Sequence, residues 1–139
     1  MKNEIKDEWR VGEGKYEGHR LILRQNVGAR PAMGDARYSF RVGIAIPFQS
    51  PQKDGMPGED ELRLMERIED LIYDYFDAKH MGVLCLVITT QGMREFITYS
   101  TTDDVADLIG SLLMHFPAYD IQHDVEQDKE WDAYKQWDL

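Results

Sequence analysis

The spacing of hydrophobic residues changes from one segment of the chain to the next. Over residues 38–46 apolar side chains occupy every second position, which predicts a β-strand that ends at Pro47. Over residues 58–79 they recur every three or four positions, which predicts an amphipathic helix. The apolar face of this helix holds Leu64, Met65, Ile68, Leu71, Ile72, Tyr75 and Phe76, and its acidic face holds Glu59, Glu66, Asp70, Asp74 and Asp77.

Two hairpins are predicted on either side of this segment. An unbroken apolar run within 81–90 is typical of a strand covered on both faces, and a Gln-Gly turn joins it to a strand at 93–100 that is rich in β-formers. Near the start of the chain, a Glu-Gly turn separates two more strand candidates, 9–16 and 20–27. We therefore expect an N-terminal hairpin that extends the sheet, followed by a loop.

A second helix and a last strand complete the pattern. We predict that Thr101 or Thr102 caps the helix and that Pro117 stops it. Alternation over 119–126 predicts a half-exposed strand. His123 falls on the apolar face of this strand, where a lone histidine is more often a hydrogen-bonded core residue than a ligand.

The order strand–helix–strand–strand–helix–strand predicts an α+β fold, a ferredoxin-like βαββαβ sandwich extended by the N-terminal hairpin. We expect a mainly antiparallel sheet with two helices on one face. The chain of 139 residues is predicted to form a single domain, 1–139. It comprises an N-terminal hairpin and loop at 1–37, the βαββαβ core at 38–127 and an aromatic C-terminal tail at 128–139.

The second face of the predicted sheet must also be covered, because residues 83–88 are apolar at both odd and even positions and therefore on both faces of the strand. The N-terminal hairpin, a second subunit or the tail with Trp131, Tyr134 and Trp137 could supply it. We predict a homodimer, and we predict that Trp131 is buried against the sheet.

Charge is distributed unevenly along the chain. The formal net charge is −10, with a net of +3 in residues 1–57 and a net of −13 in residues 58–139. This acidity disfavours a nucleic-acid partner, because such binding depends on cations that contact phosphates. The acidic helix faces suit a basic protein partner, or they are simply solvated. The chain shows no signal peptide and no apolar run near the ~20 residues of a membrane helix, so we expect a cytoplasmic protein and no membrane partner.

No motif for a nucleophile, a metal or a phosphate loop is present, so we expect no catalytic residue, metal or cofactor. The lone Cys85 is interpreted as a small buried hydrophobe. If the sheet edges meet, polar residues could form an Arg-rich patch that holds a carboxylate or phosphate. Alternatively, Arg94 pairs with Glu95 or with the acidic tail. The candidate ligand or partner residues are Arg24, Asn26, Arg41, Thr90, Arg94 and Glu95.

The chain resembles the bacterial domain-of-unknown-function family 695 from Trp9 to Tyr134. The most specific piece is the run Thr-Thr-Gln-Gly-Met-Arg-Glu at 89–95 with Tyr99. Further matching pieces are Trp9, the runs at 24–26, 41–47, 54–57 and 68–70, and Asp128 with Trp131 and Tyr134. The resemblance implies no catalytic residue in this chain. It implies a contextual similarity to the ribonuclease E regulator B family, another group of small acidic α+β proteins.

These observations favour a non-enzymatic cytoplasmic interaction or regulatory module with an acidic surface for a protein partner. The alternative is a small anionic-ligand-binding protein, or an unrecognised enzyme, that uses the Arg/Asn/Glu residues named above. A pocket lined by those residues would favour the alternative. Their engagement in internal ion pairs would favour the interaction module.

Overall fold

A six-stranded antiparallel sheet carries the fold in the computed structural model, which describes residues 5–139. Its strands are β1 (Trp9–Tyr16), β2 (His19–Asn26), β3 (Phe40–Pro47), β4 (Gly82–Thr90), β5 (Met93–Ser100) and β6 (Gln122–Gln127). They lie in the order β1-β2-β4-β5-β3-β6. The helices are α1 (Glu59–Ala78), α2 (Ala106–His115) and the short α3 (Asp132–Lys135).

Both long helices connect strands that are not neighbours in the sheet. Helix α1 joins β3 to β4 with β5 between them, and α2 joins β5 to β6 with β3 between them. Each connection is thus a split β-α-β unit, in the strand order predicted for the core. The hairpin β1–β2 continues the sheet beside β4. The predicted α+β class, the antiparallel sheet and its N-terminal extension are confirmed.

The two long helices cover the same face of the sheet. Alternate residues of β3 point toward them, and the helices contribute their own apolar stripes to one buried cluster. This cluster includes Val42, Ile44, Ile46, Leu84, Val87 and Phe96 from the strands and Met65, Ile68, Ile72, Phe76, Leu108 and Leu112 from the helices. The prediction of both helices on one face is confirmed.

The opposite face is covered by the C-terminal tail and by two short 3-10 helices, Val27–Ala32 and Ala36–Tyr38. Trp131 is fully buried there and stacks on Tyr99, with ring centroids 4.1 Å apart. Its indole Nε1 donates to the carbonyl oxygen of Tyr38 at 2.8 Å, so burial leaves no orphan donor. The predicted burial of Trp131 is confirmed, and the homodimer stays a prediction.

Helix α2 begins later than predicted, and neither Thr101 nor Thr102 caps it. The Thr102 hydroxyl instead accepts a hydrogen bond from the Asp104 backbone at 3.1 Å, and the Asp104 carboxylate accepts one from the Ala106 backbone at 3.2 Å. Such bonds compete with helix formation and hold residues 102–105 in turns. The first helical residue is therefore Ala106.

The last strand is also shorter than predicted and more exposed. Tyr119 and Ile121 are buried, but they lie before β6, which begins at Gln122. His123 is opposite Ile44, on the helix-covered side, yet it is exposed because β6 is an edge strand. The interpretation of His123 as a core residue is wrong.

Candidate functional site

The six polar residues singled out from the sequence do not form one patch. Arg24 and Arg94 lie on the face covered by α1. Arg41, Thr90 and Glu95 lie on the face covered by the tail. Neighbours in a strand point to opposite faces, so Arg94 and Glu95 are necessarily separated.

Two of these residues are engaged within the fold. The Arg24 guanidinium donates two hydrogen bonds to the Glu69 carboxylate, at 2.6 and 3.0 Å. This is the bidentate geometry expected for a ligand carboxylate, but it is satisfied internally. The amide of Asn26 is buried, accepts from the Glu8 backbone at 3.0 Å and donates to the Leu84 carbonyl at 3.1 Å. Arg24 and Asn26 therefore hold elements of the fold together.

Thr90 is likewise engaged within the fold, because its hydroxyl donates to the backbone carbonyl of Arg20 at 2.8 Å. This bond joins the outer ends of β4 and β2, which pair there through Leu21 and Thr90. Thr90 therefore belongs with Arg24 and Asn26 as a residue that supports the sheet.

Arg94 is different, because it is only 8% exposed and has no carboxylate of the described residues within 4 Å. Its Nε donates to the Thr89 hydroxyl at 2.8 Å. Desolvation by burial lowers the pKa of Arg94 below its ordinary value, and the positive charge of Arg24 adds to this effect, while the negative charges of Glu69 and Glu66 oppose it. The predicted pairing with Glu95 or with the tail is wrong. Among residues 5–139, Trp137 Nε1 is the one side-chain nitrogen or oxygen that is fully buried and has no hydrogen-bond partner. The terminal nitrogens of Arg94 are not in that class, so they keep contact with solvent.

A small cavity of about 180 Å³ lies between the tail and the sheet. Arg41 lines it and donates to Glu126 at 2.7 Å, with Asp124 3.7 Å away. The Glu95 carboxylate also lines the cavity and accepts no hydrogen bond from the described residues. Burial, together with the nearby Asp124, raises the pKa of Glu95 above its ordinary 4.5, while Arg41 opposes the change.

A larger open cleft of about 370 Å³ lies beside the C-terminal end of α1. Two of its polar side chains are paired: the Tyr73 hydroxyl donates to Asp7 at 2.8 Å, and Arg37 donates to Asp35 at 2.7 Å. The bond to Asp7, with desolvation, raises the pKa of Tyr73 to about 12. The bond between Tyr73 and Asp7 attaches residue 7, ahead of β1, to α1, whereas the pair of Arg37 and Asp35 lies within the segment between β2 and β3.

The outward face of α1 carries an exposed acidic stripe, defined as Glu66, Asp70, Asp74 and Asp77. These residues are spaced by four, four and three positions, so they follow one side of the helix. None of them has a cationic side chain of residues 5–139 within 4 Å. Other acidic residues of α1 are paired, Glu59 and Asp60 with Arg63, and Glu69 with Arg24.

One buried acid at the start of α1, Glu61, is not among the residues predicted from the sequence. Glu61 accepts hydrogen bonds from the backbone of Gln49 at 2.7 Å and Ser50 at 3.2 Å. It also accepts one from the Tyr119 hydroxyl at 2.7 Å. The one feature of the sequence that indicated burial of Glu61 was its position beside the apolar face of the helix. The helix dipole favours an acid anywhere in the first turn, so it does not distinguish a buried acid from an exposed one. Glu61 joins α1 to the loops before it and before β6.

Helices of the described residues are too short or too polar to cross a membrane.

The fold and these sites define a small acidic α+β protein with one sheet, two helices on one face and an aromatic tail on the other. Within this class, the chain belongs to the family of unknown function DUF695, whose model matches residues 7–137. A search of curated proteins and a search of solved structures each gave no match. The family match does not bear on the ribonuclease E regulator B family, and that similarity stays a prediction.

Proposed function

We propose that the protein is a non-enzymatic interaction module that docks a basic segment of a partner protein on the acidic stripe of α1. The observation that carries this proposal is that no carboxylate of the stripe has a cationic side chain of residues 5–139 within 4 Å. Carboxylates four residues apart on a helix repel each other, by about 0.2–0.5 kcal/mol per pair. A basic partner would relieve this repulsion and would be steered toward the stripe over long range.

The supporting element is rigid and of suitable length. Met65, Ile68 and Ile72 fix α1 on the sheet, so the stripe is presented without a change of backbone. Glu66 and Asp77 are eleven positions apart, or about 16 Å along the helix. This length suits a short basic helix or strand rather than a single cation. In line with the sequence prediction, we propose that the interaction takes place in the cytoplasm.

A matched pair of charge variants tests this proposal. One variant carries D70N, D74N and D77N, and the control carries D103N, D104N and D107N at the start of α2. Both remove three negative charges from exposed positions. We expect the wild type and the control to capture the same basic protein from lysate at low salt and the stripe variant to lose it. Equal capture by both variants, or no capture by the wild type above empty beads, would contradict the proposal.

A second candidate function is the binding of a small anion at Arg94. The specific observation in its favour is that Arg94 is largely buried and has no carboxylate of residues 5–139 within 4 Å, so that an anionic ligand could pair with it. In a thermal-shift screen with phosphate and small dicarboxylates, an anion should raise the melting temperature of the wild type by several degrees. Arg94→Ala should abolish the gain, and Arg63→Ala, at an exposed position of α1, should keep it. A gain that survives in Arg94→Ala would reject this site.

A further inference from the structure

We propose that the partner segment docked by the acidic stripe is a basic amphipathic helix that also packs on β1 and β2. This inference rests on the proposed docking function, and it specifies the conformation of the partner and a second surface that it contacts. The second surface, here called the apolar floor, consists of Trp9, Val11 and Ile22.

The apolar floor lies on a part of the helix-covered face that the helices leave open. Helix α1 packs on β4 and β5, whereas β1 and β2 continue the sheet beyond β4. Arg24 of β2 is on this face because it pairs with Glu69 of α1, and Val11 is directly opposite Arg24. Trp9 and Ile22 are each two positions from one of these strand residues, so they share the face. Val11 is 67% exposed, so no element of residues 5–139 covers this part of the floor.

The acidic stripe borders the floor, because it lies on the side of α1 that faces the hairpin β1–β2. The Glu69 carboxylate accepts hydrogen bonds from Arg24 of β2, and the Tyr73 hydroxyl of α1 donates to Asp7, which precedes β1. Three of the four stripe residues lie three or four positions from Glu69 or Tyr73, so they are on this side of the helix. Leu62, seven positions before Glu69, is on the same side and is partly exposed. The floor and α1 therefore meet at an inner corner.

The dimensions of this corner fit one helix. Neighbouring strands are about 4.8 Å apart, so two strands offer a floor about 10 Å wide, and helices pack side by side at about 8–10 Å. A strand laid on the floor would leave its backbone unpaired, because the donors and acceptors of β1 and β2 point along the sheet. A helix pairs its own backbone. The corner thus favours a helix over a strand.

The charges around the corner define the composition of this helix. Its side toward the floor requires apolar residues every three or four positions, and its side toward α1 requires Lys or Arg opposite the stripe. The stripe extends over about three helical turns, which matches three or four basic residues. The long helices of a second copy do not supply such a segment: α1 has two Arg against eight Asp or Glu, and α2 has neither Lys nor Arg. We therefore assign the occupant to a different protein.

Two synthetic peptides of about 14 residues, equal in Leu and Lys content, test this inference on the full chain. One has Leu at every third or fourth position, as in a helix, and the other alternates Leu and Lys, as in a strand. We expect fluorescence anisotropy to show about tenfold tighter binding of the helical peptide. Val11→Ser should weaken this binding about fivefold, because the peptide loses apolar contact at the floor. Leu113→Ser, at an exposed position of α2, is the matched control and should bind like the wild type.

A third peptide, of Lys alone, separates this inference from the proposed function. It should bind the wild type, lose affinity in the variant with D70N, D74N and D77N, and be unaffected by Val11→Ser. If the stripe variant binds every peptide as the wild type does, the docking function fails and this inference fails with it. If the Lys peptide depends on the stripe but Val11→Ser leaves the helical peptide unchanged, the docking function stands and the floor is rejected.

Two further results would reject the basic amphipathic helix as the occupant. Tighter binding of the alternating peptide than of the helical one would assign the corner to a strand. Equal binding of a helical peptide in which Glu replaces Lys would make the corner an apolar surface with no preference for a basic partner.

Discussion

At the scale of single residues, the tail owes its position to a few side chains with complete sets of partners. Trp131 adopts a left-handed backbone conformation, with φ of 58°, between the Asp128 turn and α3. The Asp128 carboxylate accepts hydrogen bonds from the Asp132 backbone and the Tyr99 hydroxyl, both at 2.8 Å. The strained residue is held by stacking on Tyr99 and by these bonds. The aromatic spacing of the tail predicted burial, but it gave no sign of this conformation.

Trp131→Ala should lower the free energy of unfolding by about 3–5 kcal/mol, because it removes a fully buried indole and its hydrogen bond to Tyr38. Urea denaturation monitored by far-UV circular dichroism measures this loss. Leu113→Ala, at an exposed position of α2, is the control and should change stability by less than about 0.5 kcal/mol. If Trp131→Ala lowers the free energy of unfolding by less than about 1 kcal/mol, the tail contributes little to stability.

Glu95→Gln should raise the stability of the protein at neutral pH. The folded state holds the pKa of Glu95 above its ordinary 4.5, so the folded state binds the proton more tightly than the unfolded chain does. Stability therefore falls as the pH rises from the ordinary value through the raised one, and Gln abolishes this loss. Denaturation at a series of pH values should show a gain for Glu95→Gln at pH 7 that shrinks toward pH 4. A gain that is the same at every pH would contradict the assignment.

At the scale of elements, periodicity predicted those segments whose burial is regular along their length. Helix α1 spans Glu59–Ala78 against a prediction of 58–79, and β5 lies where its pattern placed it. The start of α2 was missed because turn-forming bonds of Thr102 and Asp104 precede it. The candidate site was predicted least well. Strand alternation separates Arg94 from Glu95, whereas Asp124 and Trp137 come to Glu95 only through tertiary packing.

Glu61→Ala should lower the free energy of unfolding by about 2–4 kcal/mol. Three donors, from Gln49, Ser50 and Tyr119, would lose their acceptor in a largely buried place. Chemical denaturation measures the effect, and Glu66→Ala on the exposed side of α1 should change stability by no more than about 0.5 kcal/mol. Equal effects of the two substitutions would show that the Glu61 bonds add nothing to stability.

At the scale of the whole molecule, both sheet faces are covered by the chain itself. The apolar faces of β4 predicted the need for cover, and the tail supplies it on the side away from the long helices. This removes one reason for a second subunit. The remaining basis for a homodimer is β1, which lies at the edge of the described sheet beside β2 and leaves Val11 67% exposed.

We propose that two copies associate through the open edge of β1. Light scattering at high micromolar concentration should then report about twice the chain mass of 16.2 kDa. Val11→Lys, at an exposed position of this edge, should shift the population to monomer because a charged side chain on an edge strand disfavours pairing with a second strand. A wild-type mass of 16.2 kDa would reject the homodimer, and Val11→Lys without effect would reject this edge as its interface.

The claim that α1 is an electrostatic docking surface is tested most directly by the salt dependence of its affinity for the captured basic partner. Titration calorimetry between 50 and 300 mM NaCl should show an affinity that falls steeply with salt for the wild type. The variant with D70N, D74N and D77N should bind at least tenfold more weakly at 50 mM and show a much shallower salt slope. If the variant and the wild type share one affinity and one slope, the acidic stripe is not the binding surface.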